Sequence, residues 1–109
     1  MNSKPPADSA AVIAALSIRG LLDLVVAVCV SRGVTRSELC GRTRSHAVSA
    51  ARQELWWLIR NHPERYYSSQ EIARIVRRDR NTVLHGLAAH QRRLDLIRAI
   101  CYRDQNAIR

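Results

Sequence analysis

The sequence predicts an all-α fold built around a helix-turn-helix. Three observations predict it. Apolar residues recur at helical spacing in the long segments, and no stretch alternates as a strand would. Phe is absent, so a core must rest on Leu, Ile, Val and Ala with Trp56 and Trp57, a set that suits packed helices. A short helix from Ser69 to Val76 is followed by a tight basic turn. A longer helix then opens on the polar octet Arg78-Asp79-Arg80-Asn81-Thr82-Val83-Leu84-His85.

Each element has its own local signal. Residues 1–9 contain Pro5-Pro6 and read as a flexible arm, with Asp8 or Ser9 able to cap the next helix. Residues 10–33 read as an N-terminal apolar helix, with Gly20 a candidate break and Gly33 a stop. Its apolar residues lie nearly all round, so more than one face must be covered. Residues 34–109 read as the helix-turn-helix domain. Thr35-Arg36-Ser37-Glu38 is a capping box that opens one or two helical turns ending near Cys40-Gly41. Gly41 to Ser45 is a basic loop. A helix then runs from about Ser45 to Asn61, with Val48, Ala51, Leu55, Leu58 and Ile59 on one face and Pro63 beyond its end. Ser68 or Ser69 caps the helix that carries Ile72, Ile75 and Val76. The last helix starts at Asp79 or Arg80 and reaches about Arg103. Its stripe is Val83, Leu84, Leu87, Leu94, Ile97, Ile100 and Cys101, interrupted at Gln91.

The chain has 109 residues and a formal net charge of +9. In the first thirty residues Lys4 and Arg19 cancel Asp8 and Asp23, so the excess lies entirely in the remainder. A basic body of this kind points to a polyanion, nucleic acid first. The run Ala10–Val30 carries Arg19 and Asp23 at its middle, which argues against a membrane span or a signal peptide. Cys29, Cys40 and Cys101 form no Cys-x-x-Cys pair and suggest a reducing, cytoplasmic setting, with nucleoid association expected of a DNA binder. The four histidines offer no ligand pair, and no nucleophile-base or paired-carboxylate arrangement stands out. Neither enzyme activity nor a cofactor is expected. Neighbours on a helix point about 100° apart, so one of Trp56 and Trp57 is expected in the core and the other partly exposed.

The stretch Val76-Arg77-Arg78-Asp79-Arg80-Asn81-Thr82-Val83-Leu84-His85-Gly86 resembles the Gly-Gly-Arg-Asp-His-Thr-Thr-Val-Leu-His-Ala signature of the C-terminal DNA-binding domain of DnaA, the bacterial replication initiator. Val34 to Leu39, then Arg42, Arg44, Arg52 and Gln53, and then Glu71-Ile72 match that domain in the same order, so the resemblance covers about Val28 to Arg93. It implies a fold of the DnaA C-terminal, Trp-repressor-like type, here without the ATPase module, since no Gly-x-x-x-x-Gly-Lys-Ser/Thr loop is present. It also implies roles on double-stranded DNA. Arg42 and Arg44 match a loop that enters the minor groove. Arg52, Gln53 and Arg60 match phosphate contacts, and Gln53 and Arg60, seven apart, share a helix face. Ser69 and Gln70 match DNA contacts at the start of the first motif helix. Asp79, Arg80, Asn81 and Thr82, with His85 close by and Arg78 leading in, match the residues that read the major groove.

This chain departs from the signature in three ways. Val76-Arg77 replaces Gly-Gly, the segment from Glu71 to Asp79 is one residue shorter, and Arg80-Asn81 replaces His-Thr. These departures put the turn geometry and the target sequence in question. Three functions stay open. The first is sequence-specific duplex binding that regulates replication or transcription. The second is an adaptor that docks on a partner, or on a second copy, through the N-terminal helix. The third is nonspecific nucleic-acid binding by charge.

Overall fold

A computed structural model describes residues 7–107 of the chain. They form six helices: α1 (Ala7–Ile18), α2 (Leu22–Arg32), α3 (Arg36–Cys40), α4 (His46–Arg60), α5 (Ser69–Val76) and α6 (Arg80–Ala107). No strand occurs among the described residues, and the fold is all-α as the sequence implies. Residues 1–6 of the expected arm lie outside the described residues, and α1 already begins at Ala7.

The apolar run of residues 10–33 is two helices, not one. Gly20 adopts φ +70°, the left-handed region that glycine enters without a Cβ penalty. The Gly20 amide then donates to the Ser17 carbonyl and the Leu21 amide to the Leu16 carbonyl, a Schellman closure of α1. The near-continuous apolar character of this run now has a physical reason. Val12, Leu16, Leu21, Val25 and Val28 all enter the same core, each no more than 2% exposed. Here α1 packs on α3 and α5, while α2 packs on α3 and α4. Complete burial of one such side chain stabilises a fold by roughly 1.5–3 kcal/mol, so these helices are part of the domain's interior.

The Thr35–Glu38 capping box forms in both directions and starts α3. Ser45 caps α4 by accepting from the Val48 amide. Val48, Ala51, Leu55, Trp56 and Ile59 are the buried apolar positions of α4. Trp57, half-buried, donates from its indole to the Gln91 side chain at 2.9 Å, which explains the polar break in the α6 stripe. A second complete capping box, Ser68 with Glu71, starts α5 and sends Ile72, Ile75 and Val76 inward.

Along α6, Val83 and His90 are buried and Leu87 packs at their side, so the first three turns lie on α4 and α5. The two long helices approach closely at Gly86. A Cβ added there would sit 2.5 Å and 2.6 Å from two carbons of the Trp56 ring. The DnaA signature has alanine at this position, so glycine here is explained by the indole across from it. Beyond Leu94 every described side chain of α6 is exposed through Gln105.

Candidate nucleic-acid interface

The helix-turn-helix is α5, the turn Arg77-Arg78-Asp79, and the start of α6. Arg77 caps α5 in the left-handed region at φ +57°, where its amide donates to the Ala73 carbonyl. The Arg78 amide donates to the same carbonyl at 2.9 Å. This hydrogen-bond pattern parallels that at Gly33, whose amide and that of Val34 both bond the Cys29 carbonyl. The turn is thus made without glycine, and a Cβ-bearing residue there costs about 1–2 kcal/mol. Asp79 is the N-cap of α6, since its carboxylate accepts from the Asn81 amide at 3.0 Å. With Asp79 below and fully buried Val83 above, Arg80, Asn81 and Thr82 are held on a rigid first turn and His85 on the next, all exposed.

The basic loop between α3 and α4 is organised by Arg52. This side chain is buried, and its guanidinium donates to four backbone carbonyls. Nε reaches Leu39 at 3.0 Å, Nη1 reaches Thr43 at 2.7 Å, and Nη2 reaches both Glu38 and Gly41 at 2.7 Å. Arg78 also donates to the Gly41 carbonyl. The loop is therefore tied to the helix-turn-helix through one shared oxygen. Burial, and then the neighbouring Arg78 charge, bring the Arg52 pKa down to about 10, so it stays a cation at neutral pH. Arg42 and Arg44 project from the anchored loop and are exposed.

Between α4 and α6 lies an open groove of about 460 Å³. Ser49, Gln53 and Trp56 line it on one side, Thr82, His85, Gly86, Ala89 and Arg92 on the other, and Arg52 and Arg78 also border it. Gln53 accepts from Arg93 at 2.5 Å. Arg60 belongs to a different, shallower hollow with Trp57, Leu84, Ala88 and Gln91. It donates to the Ser69 hydroxyl at 2.8 Å and lies 5.2 Å from the Tyr66 ring centre. Ser69 is buried, whereas Gln70 beside it is exposed.

Besides exposed Arg42 and Arg44 on the loop and exposed Gln70 on α5, the residues singled out from the sequence fall into three placements. Arg78, Thr82, His85 and Gln53 meet around one groove, with Asp79, Arg80 and Asn81 at the same helix end. Arg60 and Ser69 form a separate pair. Arg52 borders the same groove, but it is buried and its donors are spent inside the fold. Arg92, not among the residues singled out from the sequence, also borders the groove. Its spacing of seven from His85 is the signal that could have found it.

Among known families the chain matches the bacterial DnaA protein helix-turn-helix over residues 23–89. The chain belongs to that family. No curated protein and no solved structure matches it. The DnaA match ends at position 89, inside α6, so the distal part of that helix lies outside it. Membership suggests DNA binding. Among the described residues no helix is long and apolar enough to cross a membrane, and no cluster of His, Cys, Asp and Glu could hold a metal.

Proposed function

We propose that the chain binds double-stranded DNA in a sequence-specific way and so regulates replication initiation or transcription. One observation carries this reading: two exposed basic elements, the start of α6 and the Arg42–Arg44 loop, are bonded to each other through Arg78 and Gly41. In the proposed complex the start of α6 enters the major groove and the loop enters the adjoining minor groove. Arg80 has the fork that pairs with guanine O6 and N7, and Asn81 the amide that pairs with adenine N6 and N7. Thr82 offers a methyl to thymine. His85, one turn on, faces the same duplex. Asp79 fixes the pitch of α6 as its cap. Gln53, Arg60, Gln70 and Arg92 hold phosphates, with Ser69 orienting Arg60. Arg52 acts as a positioning residue for the loop.

Selection of bound sequences from a random duplex pool tests this. A defined motif is expected, differing from the DnaA box at the base pairs facing Arg80 and Asn81. Arg80→Ala is expected to weaken the preferred site by roughly 1–3 kcal/mol and relax one position. Arg80→His combined with Asn81→Thr is expected to move preference back toward the DnaA box. No enriched motif, together with equal loss on all sequences for Arg80→Ala, would leave only charge-driven binding.

A further inference from the structure

The distal half of α6 repeats one pattern that the DNA-reading residues do not use. Arg93, Ile97, Ile100 and Asp104 are spaced four, three and four apart and form a single row along the helix. Ile97 is 57% exposed and Ile100 48%. Leu96, 61% exposed, and exposed Cys101 flank the row. The row is basic at the end nearest the body, acidic at the far end, and apolar between. It continues the side of α6 that carries Gly86 and Ala89, which face α4 and the groove. Arg93 sits at the junction. It donates to Gln53, while its Nη1 is buried without a hydrogen-bond partner among the described residues.

We infer that this row is a self-association surface whose occupant is a second copy of the same helix, packed antiparallel. Positions 93 and 104 have the same sum as 97 and 100, and as 96 and 101. A two-fold axis between residues 98 and 99 therefore sets Arg93 against the partner's Asp104 and Ile97 against the partner's Ile100. The same axis keeps each flank on its own edge, so Leu96 lies beside the partner's Leu96 and Cys101 beside the partner's Cys101. Every contact is repeated by symmetry, as an isologous interface requires. A parallel pairing would instead set arginine on arginine and aspartate on aspartate. The three large exposed apolar side chains on this side of the segment, Leu96, Ile97 and Ile100, offer on the order of 300 Å² per copy, the size of a functional patch. Two copies bury roughly 600 Å² of apolar surface, which places the dimer among weak, reversible assemblies. Apart from Arg93, which is bonded to Gln53, the surface lies beyond the proposed DNA contacts, and it stands whether or not those contacts are correct.

Sedimentation equilibrium of the full chain, without DNA, tests the inference. The wild type is expected to pass from monomer toward dimer over roughly 1–300 µM. Ile97→Asp, at an exposed position, is expected to hold the chain monomeric with its thermal unfolding unchanged, and Asp104→Arg is expected to weaken the dimer about tenfold or more. Register is read by oxidation. In a Cys101→Ser background, Arg93→Cys chains mixed with Asp104→Cys chains are expected to give a covalent heterodimer, and neither variant alone a homodimer. A wild-type chain that stays monomeric throughout would overturn the inference. So would a dimer indifferent to Ile97→Asp, or efficient linkage of Arg93→Cys chains to one another. Co-sedimentation of a monomer with anionic lipid vesicles, lost in Ile97→Asp, would reassign the stripe to membranes and equally overturn it.

Discussion

Replacing Arg52 by lysine or alanine separates a residue that holds DNA from one that holds the protein together. The guanidinium satisfies the carbonyls of Glu38, Leu39, Gly41 and Thr43. Gly41 also receives a second donor, Arg78. Hydrogen bonds from a charged donor contribute about 1.5–3 kcal/mol each, and a buried acceptor left unmatched costs about 1–3 kcal/mol. The Thr43 and Glu38 carbonyls are partly reachable by water, which reduces their share. Arg52→Ala is therefore expected to cost about 3–5 kcal/mol, a large part of the 5–15 kcal/mol typical of a domain. Arg52→Lys retains the charge but has no planar fork to span four oxygens, and about 2–3 kcal/mol of loss is expected. Urea unfolding without DNA measures both variants. At a slope of roughly 1–2 kcal/mol per molar, the alanine midpoint falls by about 2 M or more. A loss under 1 kcal/mol for Arg52→Lys, together with a DNA salt slope shallower by about 0.9, would refute the reasoning and return Arg52 to a phosphate.

Four other perturbations have expected outcomes. Arg77→Gly relieves a left-handed arginine and is expected to raise stability by up to about 1 kcal/mol, a gain of several degrees in thermal midpoint. A lower midpoint would mean that the turn is not as described. Gly86→Ala forces a methyl into the Trp56 ring and is expected to cost about 1–3 kcal/mol, with Trp56→Leu recovering part of that loss in the double variant. Burial holds the His90 pKa below the ordinary 6.5, with Glu54 opposing and Arg32 and Arg93 adding to the depression. The unfolded chain therefore takes up the proton first, and stability complete above pH 6.5 is expected to fall as pH drops below it. His90→Gln should flatten that part of the urea-midpoint profile, and an unchanged profile would show that His90 is not the group responsible. Arg60→Ala is expected to weaken all duplexes alike and reduce the salt slope by about one, and an unchanged slope would remove Arg60 from the phosphate contacts.

Much of the fold was legible because it is written in local signals. The Thr35–Glu38 capping box, a serine cap before α5, the stops at Gly33 and before Pro63, and the α4 face can be read from neighbours a few residues apart. One of the two tryptophans is buried and the other partly exposed, as helical geometry requires. What escaped the sequence depends on contacts across the chain. No spacing rule says that Arg52 turns inward to carbonyls 9–14 residues away, because a buried and an exposed arginine look alike in sequence. Loss of the Gly-Gly pair put the turn in question, yet the hydrogen bonds to Ala73 keep Arg77 left-handed. Gln91 reads as a flaw in the stripe until Trp57 is seen opposite it.

The contact between Trp56 and Gly86 also limits how this scaffold can change. Residues 79–85 can be exchanged for those of another DnaA-type chain without touching the helix crossing. An exchange that runs one residue further, bringing in alanine, collides with the indole. Shrinking the indole alone leaves a void where α6 rests on α4. Drift at these two positions is coupled, since either single step passes through an overfilled or a hollow interior. A library that varies the reading residues should therefore stop at His85 or vary position 56 together with position 86.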